Sequence, residues 1–189
     1  MYFMTFIASY ILNFYLQNAL GYDARFTGLF LLATPLAVVF VSYFAGKLSD
    51  KRDERTISAI ALTFILINVV ILFFMDSVPI YVLLLACVLQ GIGHGLFSSP
   101  NNRFVLTIVD QKELSDASTM LSTSKDVGKS MSLSLFSIIC GFILGTSKAL
   151  EKNIPSFITS SKIMLGMVIF LGISSIISLA LSKLKDKPV

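Results

Sequence analysis

Six apolar runs, each near the length that crosses a bilayer, constrain this 189-residue chain more than any other feature. They cover residues 1–20, 26–46, 57–75, 79–99, 118–146 and 163–181. A helix needs about 20 mostly apolar residues to cross the hydrocarbon of a membrane. Six such helices and their connections use the whole length, so no soluble catalytic domain fits beside them. Barrel strands alternate apolar and polar residues over roughly ten positions, whereas these runs are continuous. The fold class expected is therefore an all-α membrane protein, a single six-helix bundle over 1–189. Composition agrees, with only 14% charged residues against roughly a quarter in soluble domains. This excludes a disordered chain, a nucleic-acid module and an ordinary cytosolic enzyme.

Charge placement gives orientation. Lys47, Lys51, Arg52, Arg55, Arg103, Lys112, Lys125, Lys129, Lys183, Lys185 and Lys187 fall on one side of the six runs. Arg25, Lys148, Lys152 and Lys162 fall on the other. Lys and Arg concentrate in cytoplasmic loops, so the expectation is a multi-pass cell-membrane protein with both termini in the cytoplasm. The basic residues sit in breaks between apolar runs rather than on one folded face, so no nucleic-acid partner is expected. The first 20 residues have no basic leader and no small-residue cleavage site, and read as a retained span. Cys87 and Cys140 lie inside apolar runs without metal-ligand or CxxC spacing, and read as packing residues.

Polar residues inside the runs carry the functional information, because they are costly in hydrocarbon. Tyr10, Asn13 and Gln17 fall at i, i+3 and i+7 on one face of the first span. Cys87, Gln90, Gly91, His94, Gly95 and Ser98 make a stripe on the fourth, opposite Leu85, Leu89, Ile92 and Leu96. Each such residue alone reads as glue between helices. The two stripes together point to a water-accessible substrate cavity lined by Tyr10, Asn13, Gln17, Gln90, His94 and Ser98. Gly91 and Gly95 form a GxxxG, which in an apolar helix marks close helix approach. Ser130, Ser134 and Gly141 give the fifth span a similar small-residue packing face, behind a helix cap expected at Asp116. Pro35 should kink the second helix, and Pro100 should end the fourth. The break after it, 100–117, would place Phe104, Ile108 and Val109 in the membrane interface.

His94 is the only mid-span group that titrates near neutral pH. No carboxylate lies in the middle of a span. With one histidine, no HExxH and no P-loop lysine, neither an enzyme site nor a metal or cofactor is expected.

Several segments together carry a resemblance. FYLQNALG at 14–21 is followed by Gly28, LATP at 32–35 and AGKLSDKRDER at 45–55. Further on come GIGHGLFSSPNN at 91–102 and ASTMLSTSKDVG at 117–128. This series resembles the second half of a major facilitator superfamily transporter. It is most similar to the fourteen-helix drug–proton antiporter branch. Gly46, Asp50, Lys51 and Arg55 resemble the superfamily's loop between the second and third helices of a half, although Asp53 stands where the common pattern has glycine. The family more often has Arg at Lys125.

The resemblance implies that the first and fourth helices line a central cavity and that Asp50 acts in gating, paired with Arg55 or an arginine of the other half. It also implies proton-coupled efflux of drugs or other amphipathic small molecules, with two bundles rocking around one site. The expected partners are the lipid bilayer, a small-molecule substrate, and either an N-terminal transporter half or a second copy of this chain. A non-transporting scaffold or gene remnant is the reading from another class.

Overall fold

The computed structural model describes residues 1–49, 54–107, 109–144 and 153–185, and among them the secondary structure is helical throughout, without strands. Helix α1 spans Tyr2–Phe14 and continues as a π-turn over Tyr15–Ala19. Gly21 closes this helix at φ 72°, a left-handed conformation that favours glycine, and the Tyr22 N–H donates to the Leu16 carbonyl at 3.0 Å. Helix α2 (Ala24–Leu31) starts at an Asp23 cap whose carboxylate accepts from the Phe26 N–H at 2.9 Å. After a single turn residue, Leu32, the chain resumes as α3 (Ala33–Ser49). The break falls three residues before Pro35. That proline has no N–H for the Leu31 carbonyl, and its ring crowds that group.

Helix α4 runs Glu54–Phe73, α5 Ile80–Thr107, α6 Leu114–Leu144 and α7 Ile154–Lys185. The last three extend beyond the apolar runs that announced them. Pro100 does not end α5; the helix continues through it to Thr107. One missing donor removes one bond from a long ladder, and membrane helices tolerate that where neighbours compensate. Phe104 is therefore helical, Val109 lies in the short connection, and Ile108 lies outside the described residues. Asp116 sits in the first turn of α6 instead of capping it, where its charge still complements the helix N-terminus. Lys125 and Lys129 lie within this helix, one turn apart.

Five stretches are long and apolar enough to cross a membrane: Ala24–Gly46, Thr56–Phe73, Ile80–Ser98, Leu114–Ile143 and Ile154–Ser178. Helix α1 with its π-turn is not among them. At about 1.5 Å per residue it measures about 27 Å, slightly short of a typical hydrocarbon core.

Helix α5 is central, held between α3 and α4. Its glycines explain how closely. A Cβ on Gly91 would fall 2.6 Å from the Ala37 Cβ and collide with the Thr34 carbonyl. One on Gly93 would fall 2.6 Å from Ile65 Cγ1 and 2.7 Å from the Ala61 carbonyl. Gly95 is only slightly looser against Val38 and Val41. Without a hydrophobic effect between helices in lipid, such backbone proximity is what van der Waals attraction rewards. Asn68 of α4 adds a buried bond, its amide donating to the Ala86 carbonyl at 2.8 Å.

Helix α1 packs on α6, while α7 closes the other side against α4 and α6. The core between them holds Ile7, Ile11 and Leu16 of α1, Val69 of α4, Phe136 of α6, and Phe157 and Leu165 of α7. Both cysteines are buried free thiols. Leu29, Leu36, Val39, Phe40 and Tyr43 form an exposed apolar face on α2 and α3, as contact with acyl chains requires. The small-residue face of α6 departs from its expected packing role. Ser130, Ser134 and Gly141 are all exposed, and nothing lies within 4 Å of a Cβ built on Gly141. No helix of this chain covers that face among the described residues.

Candidate functional site

The periodicity of α1 puts Tyr10, Asn13 and Gln17 on a common side, and the fold leaves that side open. Tyr10 is 37% exposed, with its ring edge-on to Phe136 of α6 at 5.9 Å. The Gln17 amide donates to Asn13 Oδ1 at 2.5 Å on the surface. The π-turn begins at Tyr15, so Gln17 sits in a widened turn, a local geometry often found at functional positions. Asn18 in the same turn donates to the Phe14 carbonyl at 3.2 Å.

The residues of the fourth span divide. Gln90 does not face open water: it is 3% exposed, and its amide donates to the Thr5 carbonyl at 2.8 Å and to Ser9 Oγ at 2.7 Å. It ties α5 to α1 from behind, which is the glue role. His94 and Ser98 are half-buried, one and two turns further along α5, and meet Tyr2 of α1. The His94 ring stands edge-on to Tyr2 at 5.5 Å, and the Tyr2 hydroxyl approaches Ser98 Oγ at 3.5 Å. The expected cavity thus resolves into two places. Asn13 and Gln17 lie near the π-turn, while His94 and Ser98 gather around Tyr2, about 20 Å away along α1.

Around Tyr2 there is a cavity of about 250 Å³, walled by Tyr2, Phe6 and Ser9 of α1, Thr34 of α3, Gln90 and His94 of α5, and Lys129 of α6. Lys125 reaches the Tyr2 ring that walls it, with Nζ donating to Asn102 Oδ1 at 2.9 Å and lying 5.2 Å from the ring centroid. Such a cation over an aromatic face is attractive. Lys129, half-buried, pairs with the exposed Asp126 at 2.9 Å. A larger open groove of about 620 Å³ follows the uncovered face of α6 past Val127, Ser130, Met131, Ser134 and Ile138.

Tyr2, Ser9, Thr34, Asn102 and the two lysines are the site residues that sequence reasoning missed. Tyr2, Phe6 and Ser9 extend the Tyr10–Asn13–Gln17 face toward the N-terminus, and following the same period further would have found them. The two lysines fall inside the expected fifth span, 118–146, but count there only as charges that set orientation.

At the far end of the bundle, Lys162 of α7 pairs with Asp76 at 2.8 Å. That hydrogen bond holds the Asp76 carboxyl below its usual range. The Tyr15 hydroxyl donates to the Met75 carbonyl at 3.1 Å nearby, so α1 and α7 are both tied to the segment after α4. Gly46 lies half-buried near the end of α3. Asp50 and Lys51 fall outside the described residues, as does the side chain of Arg55, whose backbone belongs to α4. Among the described residues, no group of three or more His, Cys, Asp or Glu comes together as a metal site.

Comparison with known proteins fits these features. Residues 1–133 match the Major Facilitator Superfamily. The riboflavin transporter RibZ of Clostridioides difficile is 28% identical over 162 residues, covering 85% of this chain and 35% of that protein. The uncharacterized transporter YebQ of Escherichia coli is 31% identical over 134 residues, 70% of this chain and 29% of that protein. The multidrug resistance protein Stp of Mycobacterium tuberculosis is 25% identical over 143 residues, 75% of this chain and 27% of that protein. The chain thus spans about a third of the length of these relatives. With most of its length matched and its long apolar helices packed at glycine contacts, the chain belongs to the Major Facilitator Superfamily of membrane transporters.

Proposed function

We propose that this chain forms one six-helix bundle of an efflux transporter for drugs or other amphipathic small molecules. A second bundle, supplied by an N-terminal transporter half, completes the pathway and carries the proton-coupling carboxylates. Both termini then face the cytoplasm, α1 crosses the membrane with the other five spans, and Asp50 with Arg55 serves the gate between the halves. The observation that carries this reading is the open face of α1. Phe6 and Tyr10 are exposed aromatic rings, Asn13 and Gln17 supply amides, and the uncovered groove of α6 continues the surface. Polar groups at membrane depth need a partner or water, and here Asn13 stays exposed and Gln17 only half-buried, bonded to each other. An aromatic surface dotted with a few amides is what an amphipathic solute requires. Two relatives are named for small organic molecules, riboflavin and drugs, which supports the substrate class.

The test is co-expression with an N-terminal bundle in cells that lack dye efflux. Efflux is expected from the pair and from neither part alone. The double substitution Asn13→Ala, Gln17→Ala should reduce it about tenfold or more, with the amount and melting of the protein unchanged. No efflux with any N-terminal bundle refutes the proposal. Efflux from this chain alone, with cross-links between copies, favours a homodimer instead.

A further inference from the structure

We propose that the cavity between α1, α5 and α6 is an anion subsite, which takes the carboxylate or phosphate head of an amphipathic organic anion. This names the substrate class of the transporter proposed above and rests on that reading for what crosses the membrane. Lys125 and Lys129 stand one turn apart on α6, so their charges repel each other. Lys129 lies in the apolar part of α6 and Lys125 at its edge, where cations are costly and mark pathways. Their compensation is incomplete. Lys125 is held only by neutral groups, the Asn102 oxygen and the Tyr2 ring, with no carboxylate bonded to it among the described residues. Lys129 has Asp126, but that pair reaches solvent, contributes little and leaves the ammonium available.

Two cations against one carboxylate leave the site net positive. Ser9 adds a donor, because its oxygen already accepts from Gln90 and its hydroxyl proton remains to give. Size narrows the ligand further. At about 250 Å³ the cavity falls below the roughly 300–1,000 Å³ that encloses a whole drug-sized molecule. Only a charged head enters, and the apolar body lies along the open face of α1 past Phe6 and Tyr10. An anionic lipid headgroup offers the same chemistry, so the test separates it from a soluble substrate.

The whole chain is placed in phosphatidylcholine nanodiscs, and binding of 2-naphthoate, neutral 2-naphthamide and cationic naphthylmethylammonium is measured by equilibrium dialysis. The naphthoate is expected to bind about tenfold tighter than the amide, and the cation weakest. Lys125→Gln and Lys129→Gln should each weaken naphthoate about fivefold without affecting the amide, and Lys125→Arg should restore it. Retained amide binding shows that a variant is folded. Equal affinities for the three probes, or naphthoate binding indifferent to both lysines, would overturn the inference. Naphthoate binding that survives added phosphatidylglycerol supports it. Loss to phosphatidylglycerol assigns the site to lipid and overturns the substrate assignment. Efflux restricted to neutral and cationic dyes would also overturn it while leaving the transporter reading standing. Lysine-dependent naphthoate binding in a chain that never supports efflux upholds the subsite and sinks only the transporter reading.

Discussion

Replacing Gly91 by alanine should push α5 away from α3. The added methyl would sit 2.6 Å from the Ala37 Cβ and against the Thr34 carbonyl. Carbon atoms rest at about 3.5–4.0 Å, so the helices must part by roughly 1 Å or the backbone must bend. Overpacking of this kind costs about 1–3 kcal/mol. Alanine recovers up to about 1 kcal/mol as a better helix former than glycine. Because one obstacle is backbone, which cannot turn aside, the cost wins and the net loss is about 1–2 kcal/mol. Gly93→Ala should behave alike on the opposite side, against Ile65 and the Ala61 carbonyl. Gly141→Ala is the internal control. Nothing lies within 4 Å of its Cβ, so only the helix-propensity gain remains.

The two native thiols provide the assay. Cys87 and Cys140 are 1% and 4% exposed, so a coumarin maleimide reports unfolding as they become accessible. For a chain of this size about 1 kcal/mol corresponds to roughly 2–4 °C. Gly91→Ala and Gly93→Ala should therefore melt about 2–8 °C lower, and Gly141→Ala level with the parent or slightly above it. Melting of Gly91→Ala at or above the parent would refute the close-contact argument. A Gly141→Ala loss as large as that of Gly91→Ala would refute the claim that this face of α6 is uncovered.

Three further outcomes follow from the geometry. Gln90→Leu removes two bonds to α1, each worth about 0.6 kcal/mol in a membrane protein, so it should lower the melting point by a few degrees; unchanged melting would show that these bonds do not tie α5 to α1. Lys162 depresses the Asp76 pKa below 3.8, so the pair contributes fully above that pH and its contribution fades as pH falls through the lowered value. The effect is about 0.2–1 kcal/mol, and Asp76→Asn should flatten the acid side of the melting profile by that much; an unchanged profile would show that the pair adds nothing. Since the chain has no tryptophan, Phe40→Trp and Tyr10→Trp each create a single fluorophore. Brominated lipid should quench the first and spare the second in the assembled transporter, and equal quenching would mean that lipid covers both faces.

Much of the chain could be read without coordinates. Runs of about 20 apolar residues can only be helices in lipid, because every backbone group must be bonded internally. The 3.6 period then places Tyr10, Asn13 and Gln17 together, and likewise Gly91 and Gly95. Helix ends were harder to read. Pro100 looked like a stop, yet α5 runs past it, because one lost bond weighs little inside a packed helix. Asp116 looked like a cap, yet α6 starts at Leu114, because several polar residues near a helix start compete for that role.

The sequence by itself thus determined the helices, the lipid setting, the family resemblance and which residues share a face. Tertiary structure alone decided what each face meets. Two stripes of similar composition ended differently: Gln90 turned inward onto Thr5 and Ser9, while Asn13 and Gln17 stayed on the surface. Two small-residue faces also parted, Gly91 sealed against α3 and Gly141 left open. The physical reason is that a repeat along one helix fixes angles about its own axis only. How that axis is rotated against its neighbours depends on contacts between residues distant in sequence, such as Lys125 with Asn102 and Tyr2. Those contacts exist only once all the helices have packed.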